Sequence, residues 1–135
     1  MDAKLWNIGV KVKEVRAEVD YFVALGAELR IHERLATPDG DFEYALLDFA
    51  GTRLFLTPTT VFENKLTTPL AEGLTHAVFE VKDLEKELDR LVTLGTEILV
   101  QPLEISAGIG SRRIAFCRSP GGFVFEVMQI HVSLV

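Results

Sequence analysis

The sequence predicts an α+β domain made of two paired β-α-β-β-β modules. Two observations carry the prediction. The chain repeats itself: displaced by 69 residues, residues 12–29 fall on residues 81–98, and eight of those eighteen positions are identical. The identical pairs are Val12/Val81, Lys13/Lys82, Glu18/Glu87, Asp20/Asp89, Val23/Val92, Leu25/Leu94, Gly26/Gly95 and Glu28/Glu97. The second observation is that the periodicity changes in the same order in each copy, from alternating to helical and back to alternating. Two copies are too few for a solenoid, so they predict two halves related by a pseudo-two-fold axis within one domain. The modules span residues 5–58 and 74–130, and a linker covers 59–73.

Residues 5–12 alternate, with Ile8, Val10 and Val12 on one face and Asn7, Gly9 and Lys11 on the other, which is the pattern of a half-buried strand. Residues 13–25 change to helical spacing, with a stripe of Val15, Val19, Phe22 and Val23, and Gly26 ends the helix. A strand follows over 28–35, then the turn chemistry TPDGD at 37–41, then two strands over 42–49 and 53–57 joined as a hairpin. Pro58 ends the last of these because it has no N–H to give to a ladder. The second copy repeats the order. A strand over 75–81 precedes a helix over 82–94 stopped by Gly95, and a strand over 97–102 follows. A Gly-containing loop over 104–110, a strand over 112–118, the tight turn SPGG at 119–122 and a last strand over 123–130 complete it.

Composition bounds the function. A chain of 135 residues can bury one real core but not two independent ones of usual size. Its net charge of −6 argues against nucleic acid, which needs a basic footprint. The single cysteine, Cys117, excludes an internal disulfide and fits a reducing cytoplasm. No apolar run approaches membrane-spanning length, and the start reads directly as a strand, so the mature protein is expected to begin at or near Met1.

Two segments carry a family resemblance: GLTHAVFEVKDL, with His76 opening the first strand of the second module, and RSPGGFVFEVMQ, with Glu126 on its last strand. With the paired modules, these make the chain resemble the vicinal oxygen chelate superfamily over residues 5–130. That group includes glyoxalase I, methylmalonyl-CoA epimerase, extradiol dioxygenases, fosfomycin-resistance thiol transferases and bleomycin-binding proteins. The resemblance implies a glyoxalase-like, cupped mixed sheet that encloses a small-molecule site. It also implies a homodimer and a divalent metal (Fe, Mn, Ni, Zn or Co) held by residues of the first and last strands of each half. One fold of this kind hosts many chemistries.

Alternation says which side chains face the cup. His76 and Glu80 share one face of their strand, and Val124, Glu126 and Met128 share one face of the last strand, so His76 and Glu126 are the expected metal ligands. In the first module Asn7 stands at the His76 position and Phe55 at the Glu126 position. Asn7 can offer only an amide oxygen, and it, a water or the substrate would complete the metal's shell; Phe55 offers no ligand. Lys11 is the counterpart of Glu80; the two are expected to pair, and otherwise Glu80 is a general base or Lys11 an anion contact. Arg53 shares the inward face of Phe55 and could bind a carboxylate bidentately. Arg112 and Arg113 follow SAGIGS, a flap at the site border in relatives; one is expected to face the cavity and the other solvent. Phe55, Trp6 and Met128 would provide an apolar wall, with core packing the better reading for Met128. Tyr44 and Glu43 lie on the third strand with facing undetermined, His32 and His131 read as surface residues, and Cys117 as a small core residue.

Two functions from different classes are compatible with these residues. The first is a metal-assisted enzyme, a lyase, isomerase or dioxygenase, acting on an oxygen-rich small substrate with Glu126 and Glu80 as catalytic carboxylates. The second is a metal-free protein that sequesters a small molecule; Phe55 and Trp6 favour it, whereas His76 with Glu126 disfavours it. A metal-free enzyme using Glu80 or Glu126 as base is a third.

Overall fold

The structure, a computed structural model, describes residues 1–37 and 40–135. Its elements run β1 (Lys4–Lys11), α1 (Val15–Ala24), β2 (Glu28–Thr37), β3 (Gly40–Phe49), β4 (Thr52–Thr57), then a short 3₁₀ turn (Glu63–Lys65) in the linker. They continue with β5 (Gly73–Glu80), α2 (Leu84–Thr93), β6 (Glu97–Ala107), β7 (Gly110–Arg118) and β8 (Val124–Ser133). This is the α+β pattern expected, with β-α-β-β-β twice over. The chain forms two compact units, one of residues 7–75 and one of residues 1–6 with 76–135. No helix among the described residues is long and apolar enough to cross a membrane.

In the first unit the strand order is β2-β3-β4-β1. β1 runs parallel to β4, with Gly9 opposite Phe55, and the other pairs are antiparallel. One face carries Ala45, Leu47, Leu54 and Leu56, which pack with Val15 and Val19 of α1. The helix lies there because its apolar stripe must be covered. The turn expected at 37–41 centres on Pro38 and Asp39, which lie outside the described residues; Thr37 and Gly40 pair across β2 and β3.

The second unit repeats the plan as β5-β8-β7-β6, with β5 parallel to β8 and Val78 opposite Glu126. Ala115, Cys117, Phe125 and Val127 pack with Leu84 and Leu88 of α2. The Asp83 side chain accepts the Lys86 N–H at 3.2 Å and caps α2, whereas Glu14 makes no such bond at α1. A cap of this kind contributes about 1 kcal/mol. Gly26 and Gly95 end the two helices at φ +106° and +87°, conformations that side chains resist.

The structure corrects one expectation. The segment 104–110 is not a loop: β6 continues to Ala107, and Ser106 pairs with Ser111 and Ala107 with Gly110 in a tight hairpin. The flexible flap expected at SAGIGS is therefore ladder-bonded strand. Gly110 makes this possible, with φ +114° and a backbone so close to β8 that a Cβ would lie 2.0 Å from the Val132 carbonyl oxygen. Pro102 fits within β6 because β6 ends the strand order of its unit and is bulged around that position.

Cys117 is fully buried, and desolvation pushes its thiol up to about 11 from an ordinary 9.0. The raised value means the folded chain holds the thiol proton after the unfolded chain has lost it. This contribution to stability is complete below pH 9 and is lost as pH rises towards about 11. Native protein should leave a thiol reagent unreacted at pH 8 and react fully in denaturant; rapid native labelling would contradict the burial.

Candidate functional site

Each unit has one sheet face against its helix and one turned away from it. In the second unit the helix-side residues alternate with Val78 and Glu80 on β5, Ile114 and Phe116 on β7, and Glu126 and Met128 on β8. This is the facing that alternation anticipated.

His76 and Glu126 come together on that face. His76 Nε2 lies 3.8 Å from Glu126 Oε2, and both side chains are largely buried. The separation is too long for a hydrogen bond. The imidazole stands edge-on to Phe116, with ring centroids 5.3 Å apart and planes at 61°, which fixes its orientation. Phe116 was not singled out from the sequence; its register opposite Glu126 is what places it here. Glu80 is half-buried and sits opposite Met128.

Arg112 and Arg113 divide as expected in part. Arg113 is on the helix side, where it bonds Glu85 of α2 at 2.6 Å, and its guanidinium is held above the ordinary value first by that bond. Arg112 is on the opposite face, only 3% exposed. Its guanidinium carbon lies 4.7 Å from the centroid of the Trp6 ring, and its nitrogens reach the Ile109 carbonyl at 3.1 Å and Met128 Sδ at 3.0 Å. Trp6 is 6% exposed, and Met128 is core, as expected.

The first unit differs in chemistry at the matching positions. Phe55 lies opposite Leu46 as Glu126 lies opposite Phe116, so the register confirms Phe55 as the counterpart of Glu126. Phe55 stacks on Tyr44 at 4.9 Å with planes 11° apart, and Phe42 extends the stack. Tyr44, 1% exposed, donates its phenol proton to Glu33. Neither the stack nor the Glu33 partner was anticipated, although the alternation Phe42, Tyr44, Leu46 could have placed the aromatic residues. Asn7, the counterpart of His76, is 3% exposed.

Lys11 does not pair with Glu80. Its ammonium bonds the Glu63 carboxylate and the Leu70 carbonyl at 2.9 Å, while the same carboxylate accepts the Leu70 N–H at 3.1 Å. The 3₁₀ turn of the linker delivers the counter-charge within the same unit. Arg53 lies 4.0 Å from Asp48, its cross-strand partner, which also takes a bond from Arg30 at 2.9 Å. His32 bonds Glu43 at 2.8 Å, and His131 bonds Glu104 at 3.0 Å on the surface.

The family's metal can be tested against these donors. Among the described residues no group of three or more His, Cys, Asp or Glu side chains is placed to hold an ion. His76 and Glu126 do fit as a two-ligand set: a nitrogen and an oxygen each about 2.0–2.2 Å from one cation can stand this far apart. An ion held by two side chains needs further oxygens from water or substrate.

A twofold β-α-β-β-β plan with an imidazole and a carboxylate meeting on the helix-free face defines a protein of the vicinal oxygen chelate class. The chain belongs to the Glyoxalase/Bleomycin resistance protein/Dioxygenase superfamily, whose model matches residues 4–127. No curated protein matches it significantly. Among solved structures, a hypothetical protein from Bacillus halodurans C-125 superposes with a TM-score of 0.75 at 20% identity, covering 100% of this chain and 99% of that one. A Streptomyces coelicolor methylmalonyl-CoA epimerase variant in complex with 2-nitronate-propionyl-CoA gives 0.73 at 19% identity, covering 96% and 98%. A 4-hydroxymandelate synthase variant from the same organism gives 0.72 at 17% identity, covering 98% of this chain and 50% of that one. Identities this low establish the shared fold alone.

Proposed function

We propose that this protein is a small-molecule enzyme of the vicinal oxygen chelate type, acting on an oxygen-rich substrate with a divalent cation held by His76 and Glu126. The observation that carries the proposal is the meeting of His76 and Glu126, 3.8 Å apart and largely buried, on the face away from α2. When bound, the cation would act as a Lewis acid towards substrate oxygens. The residues themselves supply orientation and proton handling. Phe116 keeps the imidazole in place, and the carboxylate is largely buried beside it. Glu80, on the same face and half-buried, is the group that would take or return a substrate proton. A cytoplasmic homodimer is part of this reading.

A second reading, a metal-free protein that sequesters a small molecule, is favoured by one observation: the Phe42, Tyr44 and Phe55 stack, which gives the first unit an aromatic surface where a ligand residue would stand.

The deciding experiment is a turnover screen of isomerase, lyase and ring-cleavage substrates with Fe²⁺, Mn²⁺, Ni²⁺, Zn²⁺ or Co²⁺, run beside His76→Ala. Turnover that the variant lacks supports the enzyme. No turnover with any metal, together with ligand affinity that survives a chelator, would overturn it in favour of sequestration.

A further inference from the structure

We infer that the linker, residues 59–72, is a strap that closes on the helix-free face of the first unit and opens as one piece, with Lys11 as its catch. Opening frees the Lys11 ammonium and uncovers one end of the face that carries the aromatic stack. This goes beyond the reading above and does not depend on a metal.

Position comes first. Lys11 points away from α1, because Val10 and Val12 on either side of it pack into the helix-side cluster. Gly9, on the same face as Lys11, stands opposite Phe55, and Lys11 stands opposite Thr57. The strap therefore meets the sheet two residues along from Phe55, a distance of about 7 Å. Phe55 belongs to the stack with Tyr44 and Phe42.

The strap is built to move by itself. No residue from 58 to 72 belongs to a strand, and most of residues 59–72 are exposed. Its turn bonds are internal. The Glu63 N–H donates to the Thr60 carbonyl at 3.3 Å, the Lys65 N–H to the Phe62 carbonyl at 2.9 Å, and the Leu66 N–H to the Glu63 carbonyl at 3.1 Å. Lys11 holds two places in the strap, the Glu63 carboxylate and the Leu70 carbonyl, and that carboxylate also accepts the Leu70 N–H. One ammonium thus gathers both ends of the stretch 63–70. A segment with few buried contacts and no ladder bonds lies at the low-stability end of a structure and opens without the rest.

Opposing contributions hold the closed state in balance. Phe62 is fully buried, which favours closure. Thr60 opposes it: the residue is 5% exposed, and its hydroxyl has no hydrogen-bond partner among the described residues. A buried hydroxyl of this kind is costly, and opening returns it to water. The Lys11–Glu63 pair is itself largely buried, so removing one partner leaves the other charge unpaired in the closed state. The balance then tips towards opening.

The test is hydrogen exchange, read by mass spectrometry on the full chain, for wild type beside Lys11→Met and Glu63→Ala. Acetylation by acetic anhydride is read on wild type and Glu63→Ala, with the exposed Lys13 as internal standard. In wild type the amides of Lys65, Leu66 and Leu70 should exchange well before those of β3 and β4, and Lys11 should acetylate about tenfold or more slower than Lys13. Lys11→Met should speed the three strap amides together by about tenfold or more and leave β3 and β4 unchanged. Glu63→Ala should do the same and bring Lys11 close to the reactivity of Lys13. The Leu70 N–H loses its own acceptor in Glu63→Ala, so Lys65 and Leu66, whose acceptors are backbone, decide there. Strap amides that exchange only together with β3 and β4, or that keep their rates in both variants, overturn the inference. Loss of protection throughout the first unit overturns it too, since the pair would then support the whole fold. So does a Lys11 as reactive as Lys13 in wild type.

Discussion

His76→Ala is expected to lower divalent-metal affinity by more than about a hundred-fold while the protein stays folded. Losing a group that merely supports a ligand typically costs about 10–100-fold, and removing one of two side-chain ligands should cost more. His76 is 9% exposed and meets Phe116 edge-on, so truncation also leaves a small void. That void should cost no more than about 2 kcal/mol, well within the range of single substitutions. Calorimetric titration of Mn²⁺ or Ni²⁺ into metal-stripped protein, with circular dichroism as the control for folding, measures both. Equal affinity in wild type and variant would remove His76 from the site.

Gly110→Ala is expected to be the most damaging glycine substitution, by about 3 kcal/mol or more, seen as a fall in Tm of about 10 °C. The φ of +114° is strained for any side chain, and the added Cβ would meet the Val132 carbonyl oxygen at 2.0 Å, which is backbone and cannot swing aside. The β6–β7 hairpin that positions the Ile109 carbonyl beneath Arg112 would have to move. Gly122→Ala is the internal control, because its φ of +96° is also unfavourable but nothing lies within 4 Å of the new Cβ. It should cost about 1 kcal/mol. Similar losses at both positions would show that the close approach to β8 is not what makes Gly110 necessary.

Much of the fold was legible because its signals are local and stated twice. The strand alternation around Val10 and Phe79, the helix stripes and the stops at Gly26 and Gly95 recur in register. The same alternation placed His76 and Glu126 on one face correctly. What was hidden depends on register or on distant partners. SAGIGS looks like a loop because glycines usually break strands; here Gly110 marks a close strand approach, which only the ladder reveals. The partner of Lys11 was misjudged because Glu63 sits in a segment without periodicity, and repeat symmetry pointed instead to Glu80. The Tyr44–Glu33 bond joins two strands whose register the sequence does not state. Arg112 and Arg113 could be divided between two faces from the sequence, but only Glu85 shows which arginine faces the helix.

The most direct test of the central claim, that His76 and Glu126 form a working metal site, is the metal content of protein purified without an affinity tag. It would be read by mass spectrometry for wild type beside Glu126→Gln. The account predicts near-stoichiometric transition metal in the wild type and its loss in the variant. Wild-type protein that carries no metal, even after incubation with Fe²⁺, Mn²⁺, Ni²⁺ and Zn²⁺, would contradict it.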